Sequence, residues 1–170
     1  MDEILRIDNL FARRSIRKYT GAPVSEDQIT MLLKAAMAAP SASNLRPWHF
    51  IVITDREILN RLADFHPHGK MLTEAAVCIC VCGDPAIDER YWVQDCAAAT
   101  ENILLAVTGM GLGAVWLGVH PRPERIGPTR DILGIPENVN PLNLIAIGHP
   151  AETKEPRTQY DPSRVHRDRW

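Results

Sequence analysis

The chain has 170 residues, of which 45% are hydrophobic and 24% charged, and a formal net charge of −2. That length suits one compact domain with a real core, and the composition excludes the disordered and fibrous classes. The near-neutral charge gives no overall field toward nucleic acid or an anionic membrane; no run reaches the ~20 apolar residues that span a bilayer, and the acidic start Met1-Asp2-Glu3 lacks a signal-peptide pattern, so a cytoplasmic protein is expected.

Residues 3–12 place Ile4, Ile7 or Leu10, and Phe11 on one helical face, predicting a short amphipathic helix. It ends at a basic cluster, Arg13, Arg14, Arg17 and Lys18 around Ser15. Guanidinium groups pair bidentately with phosphate and a hydroxyl adds a neutral donor, so the cluster suits a small phosphorylated ligand. By composition alone it also reads as a solvated basic face. A nucleic-acid patch lacks the interleaved aromatics it would need. Along an extended stretch, alternation would send Arg13, Ser15 and Arg17 one way and Arg14 the other.

Ser25-Glu26-Asp27-Gln28 has capping-box spacing and leads into Ile29, Leu32, Leu33, Ala36 and Met37, predicting a helix from about Ser25 that stops before Pro40. The proline-bracketed loop 40–47 offers hydroxyls, an amide and backbone donors, and His49–Thr54 reads as a buried strand. Asp55 can cap a helix through about Asp64, and Ala76–Cys82 is a strand apolar on both faces. Within it Cys78, Cys80 and Cys82 alternate onto one face as reduced core thiols, too far apart and too parallel to pair easily.

The longest helix is expected from about Asp88 to Met110, followed by Gly109, Gly111 and Gly113 as a helix-to-strand turn and the strand Ala114–Val119. Its glycines come in the opposite order to a dinucleotide fingerprint, which runs from strand to helix. A short helix over Pro123–Leu133 and a strand over Leu142–Ile147 complete the predicted elements. From about residue 149 the chain turns polar and proline-rich yet keeps Tyr160, Val165 and Trp170, as expected of an arm lying on the body or on a partner subunit. The six histidines lack zinc-site or metalloprotease spacing, so no metal is expected. No nucleophile elbow, P-loop or kinase signature occurs, as expected when a bound cofactor carries the chemistry.

Arg13-Arg14-Ser15-Ile16-Arg17-Lys18-Tyr19 after a short helix, then Ala39 to Phe50 with the pattern P-S-x-x-N-x-x-P-W-x-F, resemble the nitroreductase family. Gly111-Leu112-Gly113, Trp116-Leu117-Gly118, the Ile147–Pro150 turn and Arg157 continue the match in order over nearly the whole chain.

The resemblance implies a single α+β domain over 1–170, a three-layer α/β/α sandwich around a mainly antiparallel mixed sheet, with the long central helix at the interface of a homodimer. It implies FMN at that interface. By motif position Arg13, Arg14, Ser15 and Arg17 would hold the phosphate and the ring's carbonyl edge. Pro40, Ser41, Ala42 and Ser43 would reach the same flavin from the other subunit, and Leu117 and Gly118 would present backbone groups near the reactive N5. Lys70 falls where such enzymes place a basic residue beside the flavin, and Arg157, or else Lys154, would meet the phosphate from the tail. The activity implied is ping-pong transfer of hydride from NAD(P)H through flavin N5 to nitroaromatic, quinone or similar acceptors. The alternatives are another flavin chemistry on the same scaffold, such as reductive dehalogenation, or a non-catalytic FMN-binding protein.

Overall fold

The computed structural model describes residues 7–170. The part of the first predicted helix that includes Ile4 lies outside them; the remainder is α1 (Ile7–Ala12). Helix α2 (Glu26–Met37) starts where Ser25 accepts from the Gln28 N–H while the Gln28 side chain accepts from the Ser25 N–H, a complete capping box. Strand β1 (Trp48–Ile53), helix α3 (Arg56–Phe65, capped by Asp55) and strand β2 (Val77–Gly83) follow. Then come α4 (Trp92–Gly109), β3 (Gly113–Gly118), α5 (Pro123–Leu133) and β4 (Asn140–Gly148).

Helix α4 starts four residues later than the expected Asp88. Asp88 instead accepts from the backbone N–H groups of Arg90 and Tyr91, so it closes a turn ahead of the helix. After α4, Gly111 takes φ +70, the left-handed conformation that lets the chain reverse into β3.

The sheet has four strands in the order β1-β2-β4-β3, all antiparallel. Among the described residues a single parallel bridge, from Ser15 to Ala114, adds the chain after α1 to the β3 edge and makes the sheet mixed there. Strand β2 is buried along its whole length because helices cover both faces. Val77, Ile79 and Val81 pack with Leu32, Ala36, Ala99 and Ile103 of α2 and α4. Cys78, Cys80 and Cys82 pack on the opposite face with Leu59 and Leu62 of α3 and residues around α5. These two apolar layers make the three-layer α/β/α sandwich.

The cysteines are free and buried. The Cys80 and Cys82 sulfurs approach to 3.6 Å, closer than alternation on a regular strand suggests, because the pairing with β4 shifts register between Val81 and Cys82. Burial pushes the Cys78 and Cys96 thiols up to about 12, so neither supplies a thiolate. Among the described residues no helix is long and apolar enough to cross a membrane.

Candidate functional site

The basic segment after α1 is pinned to the sheet by its apolar members. Ile16 donates its N–H to the Ala114 carbonyl (2.9 Å) and rests on Gly113, where an added Cβ would lie 2.7 Å from the Ile16 side chain. The Tyr19 hydroxyl donates to the carbonyls of Ile16 (2.7 Å) and Ala146 (3.1 Å), and burial pushes its pKa up, keeping it a donor.

The chain after β4 closes over the same segment. Ala151 N–H donates to Lys18 O (2.8 Å), Thr20 N–H to His149 O (3.0 Å) and Arg157 N–H to Phe11 O (3.1 Å). Lys154 donates to Ser15 O (2.5 Å), Arg14 to Glu155 O, and Arg17 N–H to the Glu152 carboxylate (2.5 Å). The Arg17 N–H and the Lys154 ammonium hold the Glu152 carboxyl below its usual range.

Between the two segments is a polar cavity of about 170 Å³ lined by Arg14, Ser15, Arg17, Lys154 and Arg157. Three guanidinium groups, an ammonium and a hydroxyl around one small space form a donor set for a phosphate dianion. Arg13 is not among them; its Nε pairs with Glu101 at 3.3 Å. This differs from the alternation expected of an extended stretch, because the segment makes only the Ser15 bridge before Tyr19 is tied down. Arg17 also lines a second cavity of about 440 Å³ with Lys18, Tyr19, Lys70, Met71, Glu74 and Ala151, which brings Lys70 to the same site. Lys70 opens a 3-10 turn (Lys70–Thr73) whose far end is held by Arg56, which donates to the carbonyls of Leu72, Thr73 and Ala75.

Strand β3 leads away from the cationic cavity along an edge that, among the described residues, carries the Ser15 bridge at Ala114 and no further strand. Ala114 turns its carbonyl outward to Ile16, and antiparallel alternation sends the backbone groups of Trp116 and Gly118 the same way. Leu117 is buried, whereas Gly118 is half-buried. At Gly118 nothing lies within 4 Å of an added Cβ, so an open space adjoins an outward N–H. Its carbonyl accepts from His66 Nε2 (3.0 Å) and an Arg125 guanidinium nitrogen (2.8 Å). A phosphate cradle at one end of a free strand edge and an exposed N–H at the other fit a phosphorylated flat ring such as FMN.

The serine loop lies elsewhere. The register places Gly113 and Ile53 at one end of the sheet and Trp48 at the other, with β3 and β1 on opposite edges. Pro40, Ser41, Ala42 and Ser43 therefore sit diagonally across from the arginines, roughly 20 Å away by strand spacing and rise. Within one chain the two groups cannot share a small ligand. The loop is held open by Asp95 at the start of α4, whose buried carboxylate accepts from the Ala42 N–H with both oxygens (3.1 and 3.2 Å). Ser43, Asn44 and Arg46 take positive φ values of 50, 56 and 53, a strained run of the kind found at ligand-binding loops.

The sequence does not point to Glu152, His66 or Arg125 at the site, and Tyr19 figures there only as the end of the Arg13–Tyr19 motif. A basic cluster advertises itself by composition, whereas a lone carboxylate, a loop histidine and a single helical arginine carry no local pattern.

The sequence profile described as the Nitroreductase family matches residues 10–68 and 66–149. A protein of Archaeoglobus fulgidus, provisionally named NADH dehydrogenase/NAD(P)H nitroreductase, is 46% identical over 176 residues, covering 100% of both chains. The NADPH-flavin oxidoreductase of Vibrio harveyi is 30% identical over 163 residues, covering 88% of this chain and 67% of its own. The solved FMN-dependent nitroreductase of Clostridium difficile superposes with a TM-score of 0.91 at 31% identity, covering 97% of this chain and 100% of its own. The profile takes in both the arginine segment and the serine loop, the Archaeoglobus relative matches over the full length of both chains, and the Clostridium structure shares the fold; the chain belongs to the Nitroreductase family.

Proposed function

We propose that this protein is an FMN-dependent oxidoreductase that uses NAD(P)H to reduce nitroaromatic, quinone or similar conjugated acceptors, and that it works as a homodimer. The observation that carries the reading is the cavity of Arg14, Ser15, Arg17, Lys154 and Arg157 placed at the head of the open β3 edge that ends in Gly118. When bound, FMN would supply the redox chemistry, by which hydride from NAD(P)H reaches the acceptor.

The chain's own residues bind and orient. Arg14, Ser15, Arg17 and Arg157, with Lys154, would hold the phosphate, and Arg13 would join them if its partly exposed pairing with Glu101 yielded to the stronger anion. Arg17 and Lys70, which line one cavity, would place positive charge beside the ring, where reduction builds negative charge, and so would favour the reduced form. Gly118 would meet the N5 side with its outward backbone N–H, and Leu117 lies beside it in the strand with its own backbone groups turned to β4. Pro40, Ser41, Ala42 and Ser43 of the partner subunit cover the same flavin, which accounts for a pre-shaped loop far from the arginines of its own chain.

The dimer has material to form it. Ile7, Leu10, Phe11, Met37, Leu45 and Trp116 are exposed, and Val93, Ala97 and Ala98 leave a small-residue side of α4 half-open. Residues 149–157 lie on the body, while Tyr160, Val165 and Trp170 beyond them stay exposed and suit an arm over the partner.

The protein purified in the presence of FMN is expected to be yellow, with flavin absorption bands that bleach anaerobically on addition of NAD(P)H and return with a quinone or nitroaromatic. A colourless preparation that neither takes up FMN nor oxidises NAD(P)H overturns the reading.

A further inference from the structure

His66 is a buried histidine, 3% exposed, in a loop that the flavin reading leaves without a role. Its ring nitrogens have opposite partners. Nδ1 faces the His68 backbone N–H at 3.2 Å, which can only donate, so Nδ1 must hold a lone pair. The proton therefore sits on Nε2, aimed at the Gly118 carbonyl 3.0 Å away. An imidazolium would set a second N–H against that of His68, so the geometry selects one neutral tautomer.

Both bonds concern the site. Gly118 ends the open strand edge, and a glycine there has no side chain to pack and the widest backbone freedom of any residue. Its carbonyl is held only from outside the sheet, by His66 and by Arg125. On the other side, His66 begins the turn that leads to Lys70. Its own carbonyl accepts from the Gly69 N–H (2.8 Å), its Nδ1 takes the His68 N–H, and an added Cβ on Gly69 would lie 2.9 Å from the His66 Cβ.

We propose that His66 is a positioning residue: by donating to Gly118 and accepting from His68, it ties the Lys70 loop to the end of β3 and so fixes the two opposed protein edges between which the flavin ring is held. Arg125 supports it by donating to the same carbonyl. This rests on the flavin reading above and adds to it the element that sets the spacing of Lys70 from Gly118. The consequence is thermodynamic as well as structural. Donors held in place before the ring arrives stabilise the charge that builds on reduction without reorganising, whereas donors that must be ordered afterwards lose part of that effect.

The test compares the wild type with His66→Leu, which removes both bonds, and His66→Gln, whose amide keeps a donor within reach of Gly118. Measured by titration against a reference dye, His66→Leu is expected to lower the flavin midpoint potential by about 30 mV, a tenfold loss in preference for the reduced form of a two-electron couple. His66→Gln should recover most of it. In the FMN-free protein the Gly118 amide should lose NMR order in His66→Leu, while the amide of Gly148, at the far end of the strand pair, keeps it. Should His66→Leu fail to fold, Arg125→Ala removes the other donor from half-buried α5 and should give the same two signs in smaller measure. A variant that loses melting temperature but keeps the wild-type potential and Gly118 order overturns the inference and leaves the flavin function standing. A wild type that binds no FMN overturns both.

Discussion

The histidine beside Gly118 makes the protein's stability depend on pH in a defined direction. Burial pushes the His66 pKa down from its ordinary 6.5, the Gly118 carbonyl opposes that shift, and the Arg125 charge and His68 add to it. Well above pH 6.5 the ring is neutral in both folded and unfolded chains, and its contribution is complete. As pH falls below 6.5 the unfolded chain takes up a proton that the folded one refuses, and stability declines until the lowered folded value is reached. Urea unfolding between pH 8 and 5 should therefore show a steeper acid loss for the wild type than for His66→Gln, which has no proton to gain. Parallel curves for the two proteins would remove His66 as the source. The choice of residue was not legible in the sequence, where His66-Pro67-His68 reads only as a lone pair in a loop. What distinguishes His66 is the carbonyl it meets, and that partner lies 52 positions away.

Between elements, the decisive contact is the seat of the arginine segment on β3. Gly113 has no positive φ that requires glycine; it is small because Ile16 crosses it, with 2.7 Å to an added Cβ. The atoms in the way are the branched stem of Ile16 rather than the end of a flexible chain, so relief must come from moving the backbone of the segment. Gly113→Ala should cost about 1–3 kcal/mol of stability, as overpacking does, and should also weaken FMN binding because Ser15 and Arg17 move with Ile16. Thermal melting and a flavin fluorescence titration check the two effects; a variant that melts early but binds FMN normally would separate the seat from the site. The elements were largely readable before this contact was. The capping box at Ser25 and Gln28 marked the start of α2, because that spacing is itself the geometry. Asp88 misplaced the start of α4, because an Asp that closes a turn on the N–H groups of Arg90 and Tyr91 looks in sequence like an Asp that caps a helix. The basic cluster was visible as chemistry, but the partition of its members was not, since Glu101, Glu152 and Glu155 decide it from distant elements.

For the whole molecule, the diagonal separation of arginines and serine loop leads to a test that a single-chain site would fail. If each flavin is held by the arginines of one subunit and the loop of the other, two variants defective at different places should complement. Arg17→Ala removes a phosphate donor, and Ser43→Pro forbids the positive φ of 50 on which the loop is built, because proline locks φ near −65°. Each homodimer then carries the same defect in both sites. Refolded together in equal amounts, half the dimers should be mixed, and in a mixed dimer one site collects both defects while the other has none. About a quarter of all sites should regain wild-type flavin binding and NAD(P)H oxidation, by the statistics of a two-fold dimer. If arginines and loop served one site within one chain, every site in the mixed dimer would keep one defect and the mixture would recover nothing. A protein that sediments as a monomer yet binds FMN tightly would equally overturn the shared site, since a lone chain cannot bring the loop across the width of its own sheet.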